Sequence, residues 1–251
     1  MNETGMPVVC AGAEAYVETA RELAERLGVP LTETPGEALT LMVDADGISL
    51  NGYGMRYQSD FTQMLRRITN GHLQHEMLAH VSKTKTPHPK AVDATAGLGE
   101  DSLLLAACGY EVTMFEQNPV IAALLRDALY RAQVHPVLGE FAARMRLVEG
   151  NSLSYLPQIE DAELIYLDPM FPARQKSGLI GKKLQLIQKL EQPCVDEAAL
   201  LDAAMQAHPQ KIIIKRPLKG AYLAQKKPHY SVKGKAIRYD CFVFPKAEKN
   251  T

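Results

Sequence analysis

Several residue types and patterns are scarce or missing in this chain of 251 residues. Tryptophan is absent, and the four cysteines are scattered along the chain without a Cys-x-x-Cys pair. This spacing argues against a disulfide framework or a zinc finger and makes a reducing cytoplasm the expected location. No apolar run approaches the roughly 20 residues of a membrane-spanning helix. The first ten residues also lack the basic start and long apolar stretch that are typical of a signal peptide.

The composition is that of a globular protein, with 46% hydrophobic and 23% charged residues. The formal net charge is only −1, but it is unevenly distributed. Residues 211–249 contain eleven Lys and Arg against two acidic residues, Asp240 and Glu248. Because salt screens charge over about 10 Å, a phosphate backbone responds to such a local patch more than to the total. On charge alone, a nucleic-acid partner and a solvated lysine-rich tail explain the segment about equally well.

The first 89 residues predict a small appendage followed by a connector. Residues 1–58 predict an α/β subdomain, with a helix over Glu14–Leu27 at helical apolar spacing and a hairpin formed by Leu39–Val43 and Ile48–Leu50. The Asp-Gly pair between these two runs is a typical hairpin turn. Residues 59–89 predict a helical connector rich in basic side chains.

Strands and helices alternate beyond residue 89, which predicts parallel strands joined by crossover helices. The predicted strands are Ala91–Ala94, Val112–Glu116, Arg146–Glu149, Leu164–Asp168 and Lys211–Lys215, followed by a hairpin of Tyr230–Val232 with Ile237–Phe244. The predicted helices follow Glu100, span Pro119–Gln133, lie around Lys182–Leu190 and run from Asp196 to His208. For residues 90–251 we therefore predict a doubly wound α/β sheet that closes with an antiparallel pair.

The first candidate site is the loop that follows Asp93. It contains Gly97 and Gly99, whose backbone can approach a ligand and adopt positive φ. A helix beginning at Glu100 would offer free N–H groups to an anion. Ser102 stands where the dinucleotide pattern G-x-G-x-x-G requires its third glycine. An acidic residue before the glycines better suits a loop that binds S-adenosylmethionine than one that binds NAD, although a bare turn is an equally good explanation of the glycines alone.

Two further segments extend this candidate cofactor site. Glu116 ends the next strand, 17 residues beyond Gly99, where an acidic residue of a Rossmann-like unit accepts hydrogen bonds from ribose hydroxyls. Capping of the following helix is the alternative role for this acid. Asn151 and Ser152 follow the third strand, where a side chain can bond an adenine edge. A simple helix N-cap is an equally good explanation there.

The most specific segment for chemistry is Leu164-Ile-Tyr-Leu-Asp-Pro-Met-Phe-Pro172. An apolar strand ends in Asp168, and Pro169 and Phe171 follow in a stiff turn. Asp168 and a main-chain carbonyl of the turn can accept both N–H bonds of an exocyclic amine and direct its lone pair at a methyl group. Phe171 can stack on a base. A strand-ending turn with a buried phenylalanine is the alternative, less favoured by the pattern.

The remaining candidate functional residues are basic side chains and histidines. The Lys215-Arg216-Pro217 segment ends the fifth strand at the same edge as Asp168, and we expect it to contact phosphate, together with Lys176. A simple charged strand end is the alternative for Lys215 and Arg216. His75 and His80 are five residues apart and miss the helix face that the zinc-protease motif H-E-x-x-H requires. No metal site is therefore predicted.

Together these motifs resemble the RsmJ family. The resemblance covers roughly residues 60–244 and rests on Val92–Asp101, Glu116–Pro119, Tyr166–Pro172 and Lys215–Pro217. It implies a Rossmann-like class I methyltransferase fold with a small N-terminal appendage, and S-adenosylmethionine as methyl donor for a guanine N2 in 16S ribosomal RNA. The implied cofactor contacts are Glu100, Asp101, Glu116, Gln117, Asn151, Ser152 and Asp168. The family commonly has arginine in place of Glu100 and Gln117, which favours backbone contacts at these two positions.

Our prediction from the sequence is an enzyme that methylates guanine N2 in small-subunit RNA. The glycine loop and Glu116 hold the cofactor, and Asp168 to Phe171 hold an extruded base. The first alternative keeps the fold and cofactor but methylates an adenine N6 or a protein amide. The second is a catalytically silent RNA-binding module or assembly factor.

Overall fold

The computed structural model describes residues 6–36, 39–69, 71–169, 186–187, 190 and 196–245. Within these ranges the chain forms one five-stranded and one seven-stranded sheet. None of the helices in this part of the chain combines the length and the apolar character needed to cross a membrane. The predicted helix around Lys182–Leu190 lies almost entirely outside the described residues.

The smaller sheet is built from the first 57 residues. Its elements are β1 (Val8–Ala11), α1 (Val17–Leu27), β2 (Leu31–Thr32), β3 (Leu39–Asp44), β4 (Gly47–Gly52) and β5 (Met55–Tyr57), with strand order β2-β1-β3-β4-β5. The predicted hairpin is confirmed, because β3 and β4 pair antiparallel from Leu39 and Gly52 to Asp44 and Gly47. Strands β2 and β5 were not predicted, since two or three residues are too few to show a strand period.

Short helical segments connect the two sheets, followed by the helices of the larger unit. The helices are α2 (Leu65–Ile68), α3 (Met77–Val81), α4 (Glu100–Ala107), α5 (Pro119–Gln133), α6 (Gly139–Ala142) and α7 (Glu197–Gln206). Helix α5 begins where the sequence predicts it, because Asn118 accepts hydrogen bonds from Val120 N and Ile121 N and Pro119 occupies the first turn.

The seven-stranded sheet confirms the predicted fold class. Its strands are β6 (Lys90–Asp93), β7 (Glu111–Glu116), β8 (Met145–Glu149), β9 (Leu164–Leu167), β10 (Lys211–Pro217), β11 (Tyr230–Lys233) and β12 (Ile237–Val243), in the order β11-β12-β10-β9-β6-β7-β8. Strands β6 to β10 pair in parallel, and β12 lies antiparallel between β10 and β11. Each predicted strand agrees with the observed one to within two residues at either end.

Strand order determines where a ligand can bind. The chain progresses from β6 outward to β7 and β8, and then returns to β9 on the other side of β6. In open α/β sheets, ligands bind at the carboxyl ends of the strands where the order reverses in this way. The ends of β6, β7, β9 and β10 meet at this edge, which is where the sequence places its candidate residues.

Alternation along β10 sends neighbouring side chains to opposite faces of the sheet. Ile213 packs into the apolar core that contains Leu103 and Leu104 of α4, whereas Ile212 and Ile214 pack into the core that contains Leu200 and Leu201 of α7. The same period places Lys215 on the α4 side and Arg216 on the α7 side.

The smaller sheet shares its core with α5 of the larger unit. Leu41 and Leu50 of the smaller sheet and Ile121 and Leu124 of α5 belong to one cluster, and each is at most 1% exposed. Polar contacts support this packing, because Arg131 of α5 pairs with Asp127 and donates to the backbone carbonyl of Ser59. Helix α5 is therefore covered on both sides and links the two sheets.

Candidate functional site

Asp93 supports the glycine loop from inside the protein. Its carboxylate accepts hydrogen bonds from Thr95 N at 3.1 Å and from the Ser102 hydroxyl at 2.6 Å, and the side chain is buried. Burial raises the pKa of Asp93 to about 7, against the lowering effect of these two bonds. Ser102, which breaks the dinucleotide pattern in the sequence, is therefore the partner that fixes Asp93. Both residues lie behind the loop.

The two glycines of the loop have different structural roles. Gly97 has φ +53°, and a Cβ built on it meets no atom within 4 Å. Gly99 has φ +78°, and a Cβ there would lie 2.6 Å from Leu125 Cδ1 and 3.1 Å from Phe61 Cζ. Gly97 therefore presents backbone to open space, as an approaching ligand requires, whereas Gly99 allows close packing beneath α4.

Glu116 joins the loop to the end of β7. Its carboxylate accepts from Gly97 N at 2.9 Å and from Asn118 N at 2.7 Å. Helix α5 is capped by Asn118, which also donates to the Leu190 carbonyl at 2.7 Å. The N-cap of α5 is therefore Asn118, and the alternative prediction that Glu116 caps this helix is wrong. Gln117 beside it is exposed.

At the end of β8, the predicted N-cap is present. The Asn151 side chain accepts from Leu153 N at 3.0 Å and starts a single 3₁₀ turn, Ser152–Ser154. Asn151 is exposed and Ser152 is buried. The contact of this pair with an adenine stays a prediction, which the exposure of Asn151 permits.

A network of charged and hydroxyl groups surrounds Asp168 at the end of β9. The ammonium of Lys215 lies 2.9 Å from the Asp168 carboxylate and 2.7 Å from that of Asp101. Asp101 also accepts a hydrogen bond of 2.6 Å from the Tyr166 hydroxyl. The backbone N–H of Asp168 donates to Thr95 Oγ1 at 2.6 Å, which ties β9 to the glycine loop.

The charges in this network influence one another. Burial raises the pKa of Asp168 above its ordinary value, and Lys215 opposes that shift. Burial alone would lower the pKa of Lys215, but Asp101 and Asp168 raise it well above its ordinary value. Burial, together with Asp101, also holds the pKa of Tyr166 well above its ordinary value. At neutral pH, Lys215 is therefore a cation and Tyr166 a neutral hydrogen-bond donor.

Arg216 lies on the opposite side of the sheet from this network. It is 3% exposed and donates to Glu197 at 3.2 Å and to the Ala221 carbonyl at 2.9 Å. Contact of Lys215 and Arg216 with phosphate stays a prediction, and the burial of Arg216 does not favour it. Sequence reasoning placed Lys215 at the correct edge but missed its two carboxylate partners. The period of two along β10 is the sequence signal that predicts opposite faces of the sheet for Lys215 and Arg216.

The described residues bring together most, but not all, of the predicted site. Asp93, Gly97, Gly99, Asp101, Glu116 and Asp168 converge at the carboxyl edge, and Pro169 is buried after Asp168. Phe171 and Lys176 lie outside the described residues. Thr95 and Tyr166 lie within the motif segments, but sequence reasoning missed the hydrogen bonds that their hydroxyl groups make to Asp168 and Asp101. Among the residues that the structure describes, no cluster of three or more His, Cys, Asp or Glu could hold a metal ion.

Comparisons of the sequence and of the structure with known proteins agree with one another. Residues 22–244 match a family model described as "Putative SAM-dependent methyltransferase". The chain is 37% identical to the ribosomal RNA small subunit methyltransferase J of Pseudomonas paraeruginosa, covering 94% of this chain and 93% of that one. It is also 37% identical to the protein of the same name from Thioalkalivibrio sulfidiphilus, covering 97% and 99%. A crystal structure of a SAM-dependent methyltransferase from Neisseria gonorrhoeae superposes with a TM-score of 0.71 at 31% identity, covering 94% and 95%.

Proposed function

We propose, since this chain belongs to the family of SAM-dependent methyltransferases, that it transfers a methyl group to the exocyclic N2 of a guanine in small-subunit (16S) ribosomal RNA. The names of its relatives support the RNA class, because they are ribosomal RNA small subunit methyltransferases. The observation that carries the chemistry is the position of Asp168, tied to the glycine loop through Thr95 and balanced by Lys215. Such a substrate would place the enzyme with ribosomes in the cytoplasm.

The donor set of the site fits S-adenosylmethionine. Open space beside Gly97 admits a ligand against the backbone, and the start of α4 at Glu100 offers N–H groups to a carboxylate. The carboxylate of Glu116 has about four acceptor positions, so backbone donors and ribose hydroxyls can share it. Gln117 and Asn151 are exposed near these groups, whereas Asp93 and Ser152 are buried and would support the site indirectly. When bound, the cofactor supplies a methyl group activated by a sulfonium.

Asp168 has two tasks in this proposal. An amine on a purine is a weak nucleophile because its lone pair is delocalised into the ring. A carboxylate that accepts an N–H bond of the amine orients that lone pair, and positioning of this kind accounts for most of the expected rate. The amine loses a proton as its nitrogen–carbon bond forms, and an oxygen of Asp168 is the acceptor.

Lys215 influences the fraction of Asp168 that is ionised. An Asp168 that was already protonated could not take up the proton that the amine loses, and burial alone favours that protonated form. The ammonium 2.9 Å away stabilises the charged form. The remaining rise in the pKa of Asp168 makes it a better proton acceptor than a surface carboxylate.

The test uses the full chain, labelled methyl donor, small-subunit RNA and ribosomal particles. After digestion to nucleosides, we expect the label in N2-methylguanosine. Asp168→Ala should lower transfer at least about 100-fold, a loss larger than any change in donor affinity that calorimetry measures. Label in N6-methyladenosine would support the first alternative. Donor and RNA binding without transfer would support a silent RNA-binding module.

A further inference from the structure

Residues 218–229 form the loop between β10 and β11. The loop begins at the end of β10, which pairs with β9, the strand that Asp168 follows. We call it the β10–β11 loop. The buried guanidinium of Arg238 holds the start of this loop in place. It donates hydrogen bonds to the carbonyls of Pro217, Leu218 and Gly220 at 2.9, 3.0 and 2.9 Å. Asp240 is buried beside Arg238 and pairs with it at 2.9 Å. The start of the loop is thus fixed by an ion pair inside the protein.

A second ion pair, between the half-buried Glu197 and the buried Arg216, fixes the middle of the loop. Glu197 of α7 accepts from Arg216 at 3.2 Å and from the backbone N–H of Ala224, also at 3.2 Å. Ala224 and Gln225 adopt φ of 48° and 57°, a left-handed conformation that side-chain-bearing residues rarely take. Strained backbone of this kind persists only where the surroundings hold it, and it concentrates at functional sites. The loop is therefore held in one conformation by Arg216, Glu197 and Arg238.

The outward side of this rigid loop is basic and aromatic. Lys219, Lys226 and Lys227 are exposed. Tyr222 lies between them in the sequence and is 37% exposed, and the guanidinium of Arg238 lies 5.0 Å from its ring centroid. From residue 211 to residue 245 the sole acid is Asp240, which is buried and paired. Nothing acidic on the loop offsets its three ammonium groups.

We propose that the β10–β11 loop docks the RNA strand that flanks the target base, with its lysines on phosphates and Tyr222 stacked on a neighbouring base. This inference rests on the proposed function and adds the surface that carries the substrate. Lysines interleaved with an exposed aromatic ring are the chemistry that single-stranded nucleic acid recognises. A preformed surface binds more tightly than a mobile one because less conformational freedom is lost.

Binding of a labelled single-stranded oligonucleotide of small-subunit RNA, measured by fluorescence anisotropy over a range of salt, tests this surface. The variant Lys219→Gln/Lys226→Gln/Lys227→Gln should bind at least about tenfold more weakly, with a salt slope smaller by about 2. Tyr222→Ala should bind about tenfold more weakly and Tyr222→Phe like the wild type. The control Arg21→Gln/Arg26→Gln/Arg146→Gln removes three exposed charges elsewhere, of which Arg21 pairs with Glu18, and should bind within about twofold of wild type.

The assay does not depend on methyl transfer, so two kinds of failure can be told apart. If the wild type methylates small-subunit RNA or ribosomal particles but binds no oligonucleotide, the loop proposal alone fails, and if it neither binds nor methylates RNA in any form, both proposals fail. If the wild type binds and methylates RNA but the loop variants bind equally well, the loop proposal alone is wrong. Equal losses in the loop variant and the arginine control would also overturn it, because they would indicate unlocalised electrostatic attraction. Donor affinity should be unchanged in every variant, and melting temperature should be unchanged in the lysine variant, the arginine control and Tyr222→Phe, which keeps the ring beside Arg238.

Discussion

The ammonium of Lys215 lies 2.9 Å from the carboxylate of Asp168, at the ends of two neighbouring parallel strands. It also lies 2.7 Å from the carboxylate of Asp101, so one cation pairs with two carboxylates. The three groups together carry one negative charge. Such a balance suits a site that receives a cationic sulfonium donor yet needs an ionised acceptor for the amine.

The role of Lys215 predicts a shift in the pH profile of catalysis. Burial and the charge of Asp101 raise the pKa of Asp168, whereas Lys215 beside it and, less strongly, Arg216 on the other face of the sheet lower it. Lys215→Met removes the nearer cation, so the pKa of Asp168 rises further and a larger fraction is protonated at any given pH. The acidic limb of the kcat profile should therefore move to higher pH by one unit or more, on the order of the effect of a close opposite charge.

Lys215→Arg provides the matched control for this prediction. It keeps the positive charge, so the acidic limb should stay near the wild-type position even if the maximal rate falls. Superimposable profiles for wild type and Lys215→Met would show that Lys215 does not act through Asp168.

Alanine at the two loop glycines should separate ligand approach from packing. Gly99→Ala places a methyl 2.6 Å from Leu125 Cδ1, so we expect a loss of unfolding free energy of about 1–3 kcal/mol. Gly97→Ala meets open space and should cost about 1 kcal/mol through its φ alone. Its larger effect should be on donor affinity, at least about tenfold, by steric exclusion at the site. Thermal unfolding and calorimetry check the pair, and equal effects on donor affinity would contradict the division.

Asp93 predicts a pH dependence of stability. Its pKa in the folded state is about 7, against an ordinary value of 3.8. The folded protein therefore holds a proton that the unfolded chain releases, and stability falls as pH rises from about 4 through 7. Asp93→Asn keeps the shape without the titration. The difference in unfolding free energy between variant and wild type should change in favour of the variant by about 2–4 kcal/mol across this window. Parallel stability curves would refute the assignment.

Glu116→Gln tests the proposed ribose contact. The amide keeps one acceptor oxygen, but its NH₂ group would face a backbone N–H of Gly97 or Asn118, both of which donate to the carboxylate in the wild type. We expect the KM for the methyl donor to rise about tenfold or more, with kcat within about threefold. The steady-state rate against donor concentration measures both. A lower kcat at unchanged KM would instead assign Glu116 to the reacting centre.

Much of the larger sheet was predictable because its strands are short apolar runs bounded by turn residues. The carboxyl-edge positions of Asp93, Glu116 and Asp168 follow directly from those strands once the connections are taken as right-handed crossovers. Strands β2 and β5 were missed because their pairing partners, not their own few residues, make them strands. Tertiary context decides such cases.

The polar network was less predictable, for a specific reason. Asp101 and Tyr166 are 65 residues apart in sequence, and Lys215 is 114 residues from Asp101. Only the parallel pairing of β9 with β10 and the position of α4 bring their polar atoms together. Arg216 was predicted with Lys215 as a phosphate contact, but its burial on the opposite face depends on Glu197, which no local pattern connects to it.

In the proposed reaction, donor and amine meet at the carboxyl edge of β6, β7 and β9. A crystal structure of the full chain with S-adenosylhomocysteine would show whether the donor binds there. We predict density for the ribose at Glu116 and for the sulfur on the side of the site that faces Asp168. A ligand bound elsewhere, or saturating calorimetric titrations that detect no uptake by the folded protein, would contradict the account.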